Sequence, residues 1–257
     1  MIDTHTHLYD EAFDEDFDDV LRRASDAGVE KFILPGIDSS VFERMERCRE
    51  LLSGRGFIAW GLHPTSVNQF WKEELALAEN KICTGSPIAV GEIGLDCYWS
   101  KEFVNEQKVV FIEQMKLAHK LNLPVIIHIR DAHDILFECM DILKKENSLP
   151  RGVFHAFSGS IETYRRIKQY GDYKIGIGGV ITYKKASIAS VLEEIPLEDI
   201  ILETDSPWLT PVPHRGKRNE PSYLIYIADK IGQIKNCSAD FVKEITTQNA
   251  NKLFNLI

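Results

Sequence analysis

The sequence predicts a single (β/α)8 barrel of the TIM type, an α/β fold, on three observations. Short β-branched apolar runs alternate with helical patterns along the chain, which is typical of βαβ units around a parallel sheet. Eight strand candidates occur in 257 residues, a length at which such barrels occur as one domain. No linker, low-complexity segment or internal repeat divides the chain, so residues 1–257 are expected to form one domain. A doubly wound open sheet is the alternative.

The elements follow from runs bounded by Gly, Pro and polar residues and from apolar residues at helical spacing. The predicted strands are Ile2–His7, Lys31–Pro35, Phe57–Gly61, Ile88–Glu92, Val125–His128, Gly152–His155, Tyr173–Gly178 and Ile200–Thr204. The predicted helices include Glu11–Ala27, Ser40–Leu52, Glu102–Leu121, Ala132–Glu146, Ile161–Tyr170, Lys185–Ile195, Ser222–Ile231 and Ser238–Phe254. Ser238 is the expected N-cap of the last helix, with Asp240 in its first turn.

Composition limits the classes of function. The formal net charge of −9 weighs against tight nonspecific binding of nucleic acid, although bound divalent cations can supply local positive charge. No apolar run reaches the length of a membrane span, and the N-terminus lacks a signal pattern, so a cytoplasmic protein without membrane contact is expected. The five cysteines are scattered, which favours reduced thiols. The role of Cys97 is left open.

Five of the eight histidines lie at the carboxyl ends of predicted strands: His5, His7, His63, His128 and His155. Active sites of α/β barrels lie at these ends. His5 and His7 are two residues apart, so on a strand they would point to the same face. Two carboxylates, Glu92 and Asp205, also stand at strand ends.

The distribution of these side chains predicts a metal site. Four imidazoles and two carboxylates exceed the ligand set of one tetrahedral ion, which typically takes three protein ligands and a water. They suit two divalent cations that share a carboxylate. Mixed nitrogen and oxygen ligands fit Mg, Mn, Zn, Co or Fe, and the sequence does not choose among these metals.

The strand-end motifs HTHLYD, GLHP, GEIGLD, PVIIHIRDA, FHAFSG and ETDSPWL, followed by RGKRNEP, resemble the TatD family of metal-dependent deoxyribonucleases, which belong to the amidohydrolase-like barrels. The resemblance extends from residue 2 to about residue 250, with the motifs in the family's order. It implies that one metal is bound by His5, His7 and Asp205, and the other by His128 and His155. Glu92 would bridge the two metals.

The resemblance also implies roles near the substrate. Asp205 is expected to accept a proton from the attacking water, unless it merely caps a helix. His63 is expected to bind the scissile phosphate or protonate the leaving group. Glu203 is expected to orient a ligand histidine. Arg130 is a candidate phosphate contact, with a salt bridge to Asp131 as its alternative.

A basic loop and three aromatic residues complete the candidate substrate contacts. The loop spans residues 215–218, and Arg218 with the following Asn219 is predicted to contact the substrate. A solvated loop is the alternative. Trp208, Tyr98 and Trp99 follow strand ends, where they would stack bases or pack at the rim.

The expected activity is phosphodiester hydrolysis with two divalent ions (Mg, Mn or Zn), as a deoxyribonuclease that trims single-stranded DNA from its 3′ end. DNA would bind transiently at the active site, and no stable protein partner is predicted. A hydrolase of a small ester or phosphodiester on the same barrel is the alternative, because the fold does not fix the reaction. A non-catalytic barrel that binds a partner is the alternative from another class.

Overall fold

The computed structural model describes residues 1–256, so the last position of the predicted 1–257 unit, Ile257, lies outside the described residues. Its eight strands form one parallel sheet in chain order. They are β1 Ile2–Asp3, β2 Lys31–Pro35, β3 Gly56–Trp60, β4 Ala89–Asp96, β5 Val125–Arg130, β6 Gly152–Phe154, β7 Tyr173–Ile177 and β8 Ile200–Leu202. The (β/α)8 barrel is therefore confirmed, and the open doubly wound sheet is excluded.

The barrel closes where the start of the chain meets β8. The backbone N–H of Thr4 donates to the carbonyl of Leu202 at 3.1 Å, and Thr6 forms a parallel bridge with Ser206. On the other side, the N–H of Thr6 donates to the carbonyl of Ile33 in β2. The first residues thus lie between the second strand and the last one.

The α-helices are α1 Phe17–Asp26, α2 Phe42–Leu51, α3 Trp71–Thr84, α4 Val104–Lys120, α5 His133–Lys145, α6 Ile161–Lys168, α7 Ile188–Glu194, α8 Leu224–Lys235 and α9 Ala239–Phe254. Helix α3 is additional to the predicted set. Among residues 1–256, none of these helices combines the length and the apolar character that crossing a bilayer requires. The side chain of Ser238 accepts from the N–H of Phe241, so the predicted cap of α9 is confirmed.

Most predicted elements differ from the observed ones by a few residues at their ends, and two of these differences change the local structure. The helix predicted over Glu11–Ala27 is a 3₁₀ turn, Glu11–Phe13, followed by α1, because the side chain of Asp10 caps the turn through the N–H of Ala12. Strand β1 ends at Asp3, so His5 and His7 lie beyond it. The backbone of this segment is hydrogen-bonded to β2 on one side and to the chain at the end of β8 on the other, so it does not form one regular ladder.

The amino ends of the strands are sealed by apolar packing. One buried cluster takes a residue from most strands, including Ile33, Ile126 and Ile201, and packs them against Leu253 and Phe254 of α9. The larger core fills the layer between the sheet and the surrounding helices. Because this apolar cluster closes the barrel at the amino ends of the strands, the open end, where a site can form, is at their carboxyl ends.

Candidate metal centre

The carboxylate of Glu92 lies at the centre of the imidazoles at the barrel mouth. Its Oε2 is 3.1 Å from Nε2 of His5, and its Oε1 is 2.9 Å from Nδ1 of His128 and 3.4 Å from Nε2 of His155. Burial by itself would raise the pKa of Glu92, but the surrounding imidazoles, His155 foremost, hold it well below its ordinary range. Glu92 is therefore a carboxylate with several nitrogen atoms facing it.

A second carboxylate faces the N-terminal pair of histidines. Oδ1 of Asp205 lies 3.5 Å from Nε2 of both His5 and His7, and these two nitrogens are 3.2 Å apart. Asp205 adopts the left-handed region, with φ of 56°, and its N–H donates to the carbonyl of His5 at 2.9 Å. A strained backbone conformation of this kind is typical of functional sites. No described helix begins at Asp205, so the alternative role as a helix cap does not apply.

The proton on His7 is placed by a tyrosine that the sequence reasoning missed. The hydroxyl of buried Tyr9 donates to the carbonyl of Pro35 at 2.6 Å, since a carbonyl can only accept. Nδ1 of His7 lies 2.6 Å from the same hydroxyl, so that nitrogen donates and carries the ring's proton. Nε2 of neutral His7 therefore presents a lone pair to His5 and Asp205, as a metal ligand must. The sequence feature that could have indicated this contact is the Tyr in HTHLYD, two residues after His7.

A buried carboxylate also lies beside Nδ1 of His155. Oε1 of Glu203 lies 3.1 Å from Nδ1 of His155 and accepts from the N–H of Ala156 at 2.6 Å. Although burial opposes charge on the ring, Glu203 and Glu92 raise the pKa of His155 to about 10. A Cβ at Gly176 would lie 2.2 Å from Oε2 of Glu203, so glycine leaves the space that this carboxylate occupies.

Asp96 is a second residue that the sequence reasoning missed. Its Oδ2 lies 3.0 Å from Nε2 of His128, while its Oδ1 accepts from the N–H of Tyr98 at 2.9 Å. Burial opposes charge on His128, but Asp96 and Glu92 raise the pKa of the ring. Asp96 is four residues after Glu92 on β4, and the two-residue period of a strand was the signal that both side chains share a face.

His63 differs from the other histidines in the nitrogen that carries its proton. The backbone N–H of Thr65 donates to Nδ1 of His63 at 3.1 Å, so the proton of the neutral ring is on Nε2. Burial lowers the pKa of His63, which keeps the ring neutral. Nε2, 3.4 Å from Oε1 of Glu92, is therefore a hydrogen-bond donor toward the site rather than a metal ligand.

The donor set fits divalent cations. Ligand atoms of His5, His7 and Glu92 lie within 4.8 Å of one another, close enough to hold one ion. Nδ1 of His5 is buried without a hydrogen-bond partner, and burial lowers the pKa of this ring, which leaves it neutral. The lone pair on Nε2 of His7 faces Oδ1 of Asp205 at 3.5 Å, and the two repel each other unless positive charge lies between them. Imidazole with carboxylate suits Zn, Mn or related ions.

All these side chains except the buried His5, Tyr9 and Glu203 line one cavity of about 680 Å³ at the open end of the barrel. Arg130 and Trp208 lie on its wall. The guanidinium of Arg130 is stacked 3.6 Å above the ring of Tyr98. Among the described residues it makes no salt bridge, so the alternative of an ion pair with Asp131 is not observed. The exposed rings of Tyr98 and Trp99 meet edge to face beside it.

Two predicted substrate contacts are not at this cavity. The guanidinium of Arg218 is bound to Asp16 by two hydrogen bonds of 2.7 and 2.8 Å. Asn219 is fully buried, and its amide donates to the carbonyls of Thr204 and Trp208. Arg218 therefore anchors its loop to α1, and Asn219 holds the loop that carries Asp205, because their polar groups are used within the protein. Cys97 is buried, and burial raises the pKa of its thiol.

Comparison with known proteins agrees with this geometry. Residues 2–255 match the family model described as TatD related DNase. The uncharacterized metal-dependent hydrolase YabD of Bacillus subtilis (strain 168) is 38% identical over 260 residues, which cover 100% of this chain and 99% of that protein. YjjV of Escherichia coli (strain K12), described in the same words, is 35% identical over 260 residues, with 100% and 98% covered.

A solved structure shows the same fold. The crystal structure of YjjV, a TatD homologue from Escherichia coli K12, aligns with a TM-score of 0.87 at 32% identity, covering 100% of this chain and 98% of that one. Fold, site and relatives together define a metal-dependent hydrolase built on a (β/α)8 barrel. Within that class, the chain belongs to the TatD family, and the resemblance carried by its strand-end motifs is confirmed.

Proposed function

We propose that this chain is a phosphodiesterase that uses two divalent cations to shorten single-stranded DNA from its 3′ end. The observation that carries the proposal is the convergence of four imidazoles and two carboxylates at the open end of the barrel, where all but His5 line one cavity. The description of the matching family as a DNase supports DNA as the substrate.

The contacts divide the donors into two sets that meet at Glu92. His5 and His7 face Asp205 and would hold one cation with it. His128 and His155 face Oε1 of Glu92 and would hold the other. Divalent cations in these positions would lower the pKa of a water molecule and offset the negative charge of the phosphodiester.

The chain's own residues supply proton transfer and orientation. Asp205 is ionised at neutral pH: burial opposes this, but the neighbouring imidazoles, His155 among them, lower the pKa of its carboxyl. It is thus available to accept the proton of the attacking water. Nε2–H of His63 points into the site and would donate to a phosphate oxygen or to the departing oxygen.

The rim offers groups that suit a nucleic acid strand. Arg130 is exposed and free of carboxylate partners among the described residues, so its guanidinium is available for a phosphate. Trp208 is half-exposed on the cavity wall, and Trp99 is the most exposed large hydrophobic side chain that the structure describes. Aromatic faces of this kind stack bases without regard to sequence.

The test is cleavage of end-labelled single-stranded DNA with Mg²⁺, Mn²⁺, Zn²⁺ or EDTA. Wild type should shorten the strand stepwise only with a metal, and Glu92→Ala should abolish shortening while the circular dichroism spectrum is unchanged. Glu113→Ala, an exposed carboxylate on α4, is the matched control and should cleave like wild type. Comparing 3′ and 5′ labels gives the direction, and full activity in Glu92→Ala would refute the proposal.

A small ester or phosphodiester is the second candidate substrate, which the net charge of −9 favours. A polyanion is repelled by an acidic protein unless the site itself supplies positive charge. The two candidates are separated by kcat/KM for oligonucleotides against a panel of small esters and phosphodiesters. If protein shown to contain metal does not cleave DNA but has a higher kcat/KM for a small compound, the small compound and not DNA is the substrate.

A further inference from the structure

We propose that a second, basic cavity beside the metal centre binds backbone phosphates of a single-stranded nucleic acid beyond the scissile bond. This cavity, of about 530 Å³, is lined by the three cations Lys184, Lys185 and Arg215. The inference rests on the proposed function, because it concerns the part of a strand that does not enter the metal centre.

The basic cavity continues the active-site cavity. Ser158, Val180 and Ile188 line both of them, so the two volumes share a wall rather than lying on separate faces of the protein. Ser158 is exposed at this junction. A strand with one phosphodiester at the metal centre can therefore extend into the basic cavity without crossing the barrel rim.

The three cations have no carboxylate partner among the described residues. Lys184, Lys185 and Arg215 are exposed, and no carboxylate belongs to the described wall of the basic cavity. Arg218, three residues after Arg215, differs in this respect, because it is paired with Asp16. In a chain of net charge −9, three unpaired cations in one concave surface make a local site for an anion.

The loops that carry these cations are fixed to one another. The guanidinium of Arg215 stacks 4.2 Å above the ring of Tyr183, and the hydroxyl of Tyr183 donates to the carbonyl of Thr210 at 3.0 Å. The N–H of Val212 donates to Oγ1 of Thr182 at 2.8 Å. The loop after β7 and the loop after β8 are thus held together, so Arg215 is oriented before a ligand binds.

Phosphate groups of a nucleic acid strand are the ligand that this chemistry fits. The cavity offers charge and hydroxyl groups but no constellation that would read a base edge, so contacts to the backbone independent of sequence are expected. A dinucleotide or a small phosphodiester fills only the metal centre. A longer strand gains the extra contacts, so kcat/KM should rise with strand length and fall as salt is added.

The test compares wild type with the triple variant Lys184→Gln, Lys185→Gln, Arg215→Gln on oligothymidylates of two to ten nucleotides with the activating metal. The readout is the ratio of kcat/KM for the ten-nucleotide strand to that for the dinucleotide, measured from low to high salt. The variant should lose about tenfold in this ratio at low salt, since exposed ion pairs are individually weak. The slope of log kcat/KM against log salt should become shallower by about 2, at about 0.7 for each of three phosphates.

The matched control removes three exposed lysines at the opposite end of the barrel. Lys120 and Lys145 lie at the carboxyl ends of α4 and α5, and Lys252 lies in α9, which seals that end. Their combined replacement by Gln changes the net charge equally and should leave the length ratio at the wild-type value. An equal loss in this control would assign the effect to overall charge and overturn the proposal.

The outcomes separate this proposal from the proposed function. If wild type cleaves DNA but the triple variant keeps the full gain with length, the basic cavity is not a phosphate site and the nuclease assignment stands. If wild type hydrolyses only small esters, the nuclease assignment fails and the basic cavity fails with it. If the triple variant is unfolded by circular dichroism, the single variant Arg215→Gln and the double variant at Lys184 and Lys185 are measured in the same way.

Discussion

Replacing Tyr9 with Phe tests whether the hydrogen bond behind a ligand histidine controls metal affinity. In wild type the Tyr9 hydroxyl accepts the Nδ1 proton of His7 and donates to the carbonyl of Pro35, each at 2.6 Å. Burial and the carboxylates around it, Glu92 first, keep the pKa of Tyr9 well above its ordinary range, so the hydroxyl retains its proton. Phe keeps the ring but removes both hydrogen bonds.

Two effects of Tyr9→Phe can be given magnitudes. In metal-free protein, Nδ1–H of His7 and the carbonyl of Pro35 lose their partner in a buried region, which costs about 2 kcal/mol of the free energy of unfolding. His7 is also free to place its proton on Nε2, which removes the lone pair that faces Asp205. Loss of such an orienting partner lowers metal affinity by about 10–100-fold.

The assays are urea denaturation in EDTA and calorimetric titration of the metal-free protein with Mn²⁺ or Zn²⁺. Tyr164→Phe is the matched control, because its hydroxyl donates to Oδ2 of Asp199 at 2.7 Å, outside the residues of the metal centre. The control should lose stability and keep metal affinity. If Tyr9→Phe binds metal as tightly as wild type while its stability falls, the assignment of the His7 tautomer is refuted.

Three further variants test other parts of the site. His63→Gln should lower kcat/KM while the metal content measured by mass spectrometry is unchanged, because its Nε2–H donates rather than binds metal; loss of metal would contradict this. Gly176→Ala should displace Glu203, since the Cβ would lie 2.2 Å from its Oε2, and metal affinity should fall about 10–100-fold by the same titration. Hydrogen bonds from Arg218, and then those from Arg23, lower the pKa of Asp16 to about 2 against the opposing effect of burial, so Asp16 stabilises the fold above about pH 4 and this contribution is lost as the pH falls toward 2. Asp16→Asn should therefore be less stable than wild type at pH 7 and equal to it near pH 2 in urea titrations; a difference that persists at pH 2 would point to another cause.

The barrel and most residues of the candidate metal centre could be predicted from the sequence alone. Eight β-branched runs alternating with helices leave few topologies, and parallel strands bring all their carboxyl ends to one side. Histidines spaced along the chain, such as His5, His128 and His155, therefore had to meet there. This prediction did not depend on the exact predicted ends of the strands. Strand β1 ends at Asp3, yet the two N-terminal histidines still face each other.

The available nitrogen of each ring, and the polar residues that stabilise the fold rather than bind substrate, could not be predicted without the three-dimensional contacts. The direction of the Tyr9–His7 hydrogen bond depends on the Pro35 carbonyl of β2, and Asp96 of β4 contacts His128 of the neighbouring strand β5, so spacing along the chain does not show which histidine each residue orients. Arg218 and Asn219 were predicted to contact the substrate because they belong to a basic loop that follows the ETDSP motif in the sequence. In the structure Arg218 is instead paired with the carboxylate of Asp16, which is far away along the chain. Hydrogen bonds and ion pairs of this kind depend on atomic positions to a fraction of an ångström. The period and order of the apolar residues that define a barrel can be seen directly in the sequence.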